Sequence, residues 1–306
     1  MAMPFSILLL IITLHFDFTL GLTEEIETFG TLNPSLNQLD QEDPFLINIL
    51  KDKYIVKPPS PETPYNLSYP PDDFPIKYMS GQFRQPVIVN SILKNKKNGF
   101  FVEAGAADGQ MFTNTLLFEL FHKWTGLLVE PNPDFYESLS YKHRRAYTFP
   151  QCLSTKTTPE IVSFDASGLI GGIIEPDKIK PGDIDRPPDL NRRWYHRRTI
   201  KVQCFPFYSI LMAIGNPRID YFSLDIEGAE MPVLRTLPWD KVDIGIIDIE
   251  VNHMGKVFNG SVSDLTEYMD SVGYKHIETA GIDYLFRKKS EIKKKKRKKK
   301  NRSNEL

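Results

Sequence analysis

Residues 98–109 read Asn-Gly-Phe-Phe-Val-Glu-Ala-Gly-Ala-Ala-Asp-Gly, and Glu130 follows in Gly126-Leu-Leu-Val-Glu-Pro-Asn-Pro133. Phe100–Val102 reads as a buried strand with Glu103 at its carboxyl end, and Leu127–Val129 as a second strand ending in Glu130. In an open parallel sheet, ligands bind beyond the carboxyl ends of the strands. Gly105 and Gly109 would let the backbone approach such a ligand closely. A carboxylate ending the second strand can accept two hydrogen bonds from a ribose diol. The set predicts a nucleoside-containing cofactor. A dinucleotide is disfavoured, because the second glycine of Gly-x-Gly-x-x-Gly would fall at Ala107.

A second cluster, Asp225-Ile-Glu-Gly-Ala-Glu230, follows the strand-like Ile219–Leu224. Asp225 and Glu227 are expected on the same sheet edge as Glu103 and Glu130, with Gly228 permitting a sharp strand-to-helix turn. Glu230 is expected only to favour a helix N-terminus through the macrodipole. Asp248, Glu250, Asn252 and His253 end the next strand. With Asp225 they would offer hard oxygen ligands, but no ligand spacing is diagnostic. They are read as solvated acids and a hydrogen-bonded histidine, and no metal site is expected.

The elements that must position these groups alternate as βαβ units require. Strands are expected over 100–103, 127–130, 146–153, 221–225 and 242–251, with 274–277 and 284–287 closing the sheet. Helices are expected over 85–94, 113–123, 133–141, 208–214, 229–237 and 263–272. Residues 155–198 interrupt this rhythm. They hold a strand at 161–164, a glycine-rich stretch at Ser167–Gly172 and the loop Arg192-Arg-Trp-Tyr-His-Arg-Arg198; a further strand follows at 200–205. An insertion of this length is a functional lid or a disordered segment. The basic-aromatic loop with His196 reads equally as solvated or as a site for an anionic acceptor or lipid headgroup.

The chain divides into four parts. Residues 1–21 form a signal peptide, or a signal anchor, since the apolar run at Phe5–Leu14 is short of the ~20 residues a span needs. Residues 22–79 read as a proline-rich extended stem with one short helix near Pro44–Lys51. Residues 80–288 are the folded domain, and 289–306 a basic disordered tail. Twelve of the 38 Lys and Arg lie in residues 287–302 against one Glu, so that segment carries +11 and the rest of the chain −12. At a membrane or in the secretory route the tail would meet anionic lipid or acidic glycans. Nucleic acid is a weaker expectation, since it needs a cytosolic or nuclear chain. Sequons at Asn66, Asn259 and Asn301 agree with a lumenal fate. Cys152 and Cys204 form no metal pattern; two buried thiols and a disulfide are both open readings.

Glu103–Gly109, Glu130–Pro133, Cys152-Leu-Ser154 and Leu224-Asp-Ile-Glu-Gly-Ala-Glu230 resemble the FkbM-type S-adenosylmethionine-dependent methyltransferases, and within them invertebrate proteins like the insect protein Star. The resemblance covers about residues 80–288. It implies a Rossmann-like α/β fold, with helices on both faces of a seven-stranded sheet of order 3-2-1-4-5-7-6. It implies S-adenosyl-L-methionine as cofactor. By position, Glu103, Gly105, Ala106, Asp108 and Gly109 would wrap its methionine part, Glu130 its ribose, and the strand end near Leu153 and Ser154 its adenine. Asp225 would border the methyl donor. Asp225, Glu227 and His253 are the groups placed to act as base for an alcohol acceptor. Two functions follow. One is a secretory-pathway O-methyltransferase with an unknown acceptor. The other is a non-catalytic Star-like protein that moves membrane cargo between endoplasmic reticulum, Golgi and endosomes.

Overall fold

The computed structural model describes residues 27–68, 81–176, 178 and 198–292. The N-terminal run at 1–21, the loop from 192 to 197 with His196, the Asn301 sequon and the lysine-rich tail from 293 lie outside the described residues. None of the described helices is long and apolar enough to cross a membrane.

The described strands are β1 (Glu27–Phe29), β2 (Phe100–Ala104), β3 (Thr125–Val129), β4 (Tyr147–Phe149), β5 (Cys152–Leu153), β6 (Glu160–Asp165), β7 (Gly172–Ile173), β8 (Thr199–Phe205), β9 (Ile219–Leu224), β10 (Ile244–Glu250), β11 (Tyr274–Ala280) and β12 (Asp283–Lys288). Seven of them form one sheet in the order β11-β12-β10-β9-β2-β3-β4. Counted within that sheet, the order is the expected 3-2-1-4-5-7-6. The pairs from β4 to β10 are parallel, while β12 runs antiparallel to β10 and β11. The central strands are apolar almost throughout because both faces are covered: every residue of β9 and β10 is buried.

Alternation along the strands feeds two cores. Phe101, Leu128, Tyr221, Ile246 and Leu285 pack on one face with Val89, Phe118 and Leu139 from the helices Gln85–Leu93, Leu116–His122 and Pro133–Ser140. Val102, Leu127, Phe222, Ile247 and Phe286 pack on the other with Leu211, Leu234 and Leu265 from the helices Phe207–Ala213, Glu230–Thr236 and Val262–Ser271.

Three departures from the sequence expectation bear on the site. The strand expected over 146–153 is broken at Pro150, which has no N–H to continue a ladder. β4 ends at Phe149, and Cys152–Leu153 joins a second sheet of order β1-β8-β6-β7, with β5 on β8. Of that sheet only β6 and β7 come from the interruption; β1, β5 and β8 flank it in sequence. Cys152 and Cys204 stand opposite one another in β5 and β8, with Cα atoms 4.4 Å apart, and form a disulfide.

Residues 27–56, expected in an extended stem, belong to the fold. β1 pairs with β8, and Leu36, Leu46, Leu50 and Tyr54 are buried in the second core. Leu46, Leu50 and Tyr54 recur every four residues, the spacing of one helical face. At the other end, residues 289–292 extend the fold by a helical turn in which Glu291 pairs with Arg218 and Arg287.

Candidate functional site

The carboxyl ends of β2, β3, β9 and β10 open onto a cavity of about 320 Å³. The sheet side supplies Glu103, Gly105, Ala107, Glu130, Asn132, Ser223, Asp225, Glu227, Glu250, Asn252 and His253. The second sheet and the turn before β7 supply Cys152, Leu153, Phe164, Leu169, Ile170 and Ile173, and Met111, Phe112 and Phe135 complete the lining. One wall is therefore acidic and polar, the other apolar.

The turn after β2 is built around close backbone approach. Gly105 has φ +85°, and a β-carbon there would stand 1.9 Å from the Asp225 carbonyl oxygen. The Asp225 N–H donates to the Ala104 carbonyl at 3.1 Å, joining the ends of β2 and β9. Glu130, 5% exposed, braces the same turn from β3. Its Oε2 accepts the Ala107 N–H at 2.7 Å and its Oε1 the Asn132 N–H at 2.8 Å. Burial pushes its carboxyl up to about 8 despite those two donors. Ala107 adopts φ +45° to present its N–H, a left-handed conformation without a glycine.

The acids at the ends of β9 and β10 crowd one another. Burial, then Glu227 and Glu250, hold the Asp225 carboxyl well above the ordinary carboxylate range. Burial, then Glu230 and Glu227, push Glu250 up to about 9. Glu230 is raised to about 7 by burial, even though its Oε1 accepts the Ile226 and Gly228 N–H groups at 2.9 and 3.0 Å. His253 is buried, and its Nδ1 pairs with Glu227 Oε2. Glu227 itself sits at φ +59° and Gly228 at +107°, which makes the sharp turn expected there.

Of the residues singled out in the sequence, Glu103, Gly105, Glu130, Asp225, Glu227 and His253 line the cavity, and Ala106, Asp108, Gly109 and Ser154 do not. Ser154 is buried behind it, its hydroxyl donating to the Thr158 carbonyl and the Glu160 carboxylate at 2.8 and 2.9 Å. Its neighbour Leu153 borders the cavity, together with Cys152. Asp108 accepts the Gln110 and Met111 N–H groups at 2.8 and 2.6 Å, and Gly109 packs on Leu139. Glu103 reaches the cavity wall but is already engaged by the Asn114 N–H at 2.6 Å and the Thr113 and Thr115 hydroxyls at 2.8 and 2.5 Å. This shortens the helix expected from 113, which begins at Leu116.

The acids of β10 are buried rather than solvated, and they diverge. Asp248 is 1% exposed and accepts the Tyr221 hydroxyl at 2.8 Å, away from the cavity lining. Glu250, Asn252 and His253 face the cavity. Asn114, Ser223 and Phe164 are cavity residues to which the sequence reading gave no site role. Asn114 carried a signal in its place between two threonines; its amide donates to the Ser223 hydroxyl at 3.0 Å.

The model of the FkbM methyltransferase domain matches residues 103–276. No curated protein matches the chain. Among solved structures the chain is similar to a methyltransferase FkbM from Methylobacillus flagellatus KT, at 16% identity over 69% of this chain and 47% of that one, with a TM-score of 0.39. The chain thus spans about half the length of that relative. It is also similar to the Burkholderia thailandensis 1,6-didemethyltoxoflavin-N1-methyltransferase, solved with 1,6-didemethyltoxoflavin and S-adenosylhomocysteine bound. That match has 15% identity over 70% of this chain and 80% of that one, with a TM-score of 0.32.

Proposed function

The chain belongs to the FkbM methyltransferase domain family, and from that premise we propose that its cavity binds S-adenosyl-L-methionine for methyl transfer to a hydroxyl acceptor. The observation that carries this reading is the acid-rich composition of the lining. Glu103, Glu130, Asp225, Glu227 and Glu250 face the cavity, and no described lining residue is Lys or Arg. A buried acidic wall suits a cationic ligand and opposes a pyrophosphate. The cradle left by Gly105, which any β-carbon would fill, fits a ligand held against the backbone.

Bound S-adenosylmethionine would supply an electrophilic methyl group on a positively charged sulfur. Gly105 and Ala107 keep the backbone close to it. Each Glu130 oxygen holds one N–H and keeps a further lone pair for a ribose diol. Asp225 and Glu227 would turn carboxyl groups toward the positively charged sulfur, whose charge favours their ionised form. The apolar wall of Phe164, Ile170 and Ile173 excludes water and favours an acceptor with an apolar body. Asp225, Glu227 and His253 are the groups available to take the hydroxyl proton, with Glu227 orienting the His253 ring.

We place the protein in the secretory pathway, by the signal-like run at 1–21, the disulfide, and the exposed sequon residues Asn66 and Asn259. A second reading, a Star-like protein in vesicle transport of membrane cargo, draws on the engagement of Glu103 and both Glu130 oxygens by the protein's own donors. Such a cavity can be kept for its fold alone. Transfer of labelled methyl groups from S-adenosylmethionine to a panel of apolar hydroxyl compounds, using the full chain, separates the two. Transfer supports the enzyme; cofactor-independent cargo binding with no transfer to any acceptor or cargo supports the second reading.

A further inference from the structure

Glu250 ends β10 with one carboxylate oxygen engaged and the other not. Its Oε1 accepts the Asn252 N–H at 3.1 Å. Its Oε2 meets no hydrogen-bond donor among the described residues, although Glu250 is only 3% exposed. A buried acceptor left in this state is costly and calls for a missing partner. His253 Nδ1 lies 4.0 Å from that oxygen and pairs with Glu227 Oε2. One donor atom from each of Glu227, Glu250 and His253 lies within 4.8 Å of the other two. Asp225 and Glu230 form a second such group around the same Glu250. Glu227 is turned into this cluster by a left-handed backbone, the kind of local strain that gathers at functional sites.

We propose that Glu227, Glu250 and His253 bind a divalent cation of the Mn²⁺ or Zn²⁺ type. Carboxylates alone would suit Mg²⁺ or Ca²⁺, and the buried imidazole shifts the preference toward borderline metals. Ligand bonds of about 2.0–2.2 Å set donor atoms roughly 3.3 Å apart on a tetrahedral centre. The donor atoms, within 4.8 Å of one another, would close toward that spacing on binding. The cation supplies the partner that Glu250 Oε2 lacks and bridges the contact between His253 Nδ1 and Glu227 Oε2. It also relieves the repulsion among neighbouring acids. Its remaining positions face the cavity, where they would hold and polarise an acceptor hydroxyl. Only this last role rests on the methyl-transfer reading; the site does not.

The test is calorimetric titration of the metal-stripped full chain with Mn²⁺, Zn²⁺, Mg²⁺ and Ca²⁺, without S-adenosylmethionine. One Mn²⁺ or Zn²⁺ should bind per chain, at least about tenfold tighter than Mg²⁺. Glu250→Gln and His253→Gln should each weaken it by about 10–100-fold or more. Glu250→Gln removes a crowded charge, so it is expected to fold, and circular dichroism checks this. The electron paramagnetic resonance of bound Mn²⁺ should change in His253→Gln. No binding by Mn²⁺ or Zn²⁺, or binding that both variants retain, overturns the proposal. Metal binding without methyl transfer would leave the site standing and count against the enzyme reading alone.

Discussion

A β-carbon on Gly105 would stand 1.9 Å from the carbonyl oxygen of Asp225. The ends of β2 and β9 therefore touch, backbone to backbone, at the floor of the cavity. Gly105 also adopts φ +85°, where an L side chain is strained. Gly105→Ala should destabilise the protein by at least about 2 kcal/mol and abolish S-adenosylmethionine binding. Denaturant unfolding and calorimetry check the two effects.

Glu130 makes stability depend on pH in an unusual direction. Burial raises its carboxyl to about 8 in the folded protein, with Asp108 adding to the rise, from an ordinary value of 4.5. The folded state thus binds more protons than the unfolded one between these values, and stability falls as pH rises from about 4.5 through about 8. Glu130→Gln should flatten that part of the profile and gain relative to the native protein above pH 8. Urea unfolding midpoints between pH 5 and 9 measure it.

The disulfide between Cys152 and Cys204 closes a loop with a sequence separation of 52 and ties β5, which borders the cavity, to β8. Replacing both cysteines with serine should cost about 2–4 kcal/mol and weaken cofactor binding. Thermal unfolding with and without reductant should show the same loss in the native chain and none in the variant.

Arg144 and Glu119 form an ion pair with both side chains fully buried, Nε to Oε2 at 2.9 Å, and Arg144 also donates to the Gly109 carbonyl. Arg144→Met leaves Glu119 buried and uncompensated, at about 3–5 kcal/mol. Glu119→Leu added to it should recover most of that loss of stability. Recovery of stability without recovery of S-adenosylmethionine affinity would show that Arg144 also positions the glycine turn.

Much of the sheet was legible in the sequence because buried parallel strands are short apolar runs, and each of the central ones here ends in an acid or a turn. Glu103, Glu130 and Asp225 could be placed on one edge for that reason. Proline density in residues 22–79 hid the helical spacing of Leu46, Leu50 and Tyr54, so a packed segment read as a stem. The second sheet was hidden because its partners, β1, β6 and β8, are far apart in sequence. Ala107 carries a left-handed backbone that its side chain does not announce. Asp248 and Glu250 share one face of β10, but Asp248 lies further back along the strand on Tyr221, while Glu250, at the strand's end, stands among the acids that follow β9. Such grouping depends on tertiary contacts and not on ligand spacing, which is why no metal site was expected there.

The central claim is that the acidic cavity binds S-adenosyl-L-methionine. Isothermal titration of the full chain with this cofactor, with Glu130→Ala as control, tests it directly. One site per chain is expected, with a loss of at least about tenfold in affinity, or 1.4 kcal/mol, in the variant. No binding to the native protein, or equal binding by both, would contradict it.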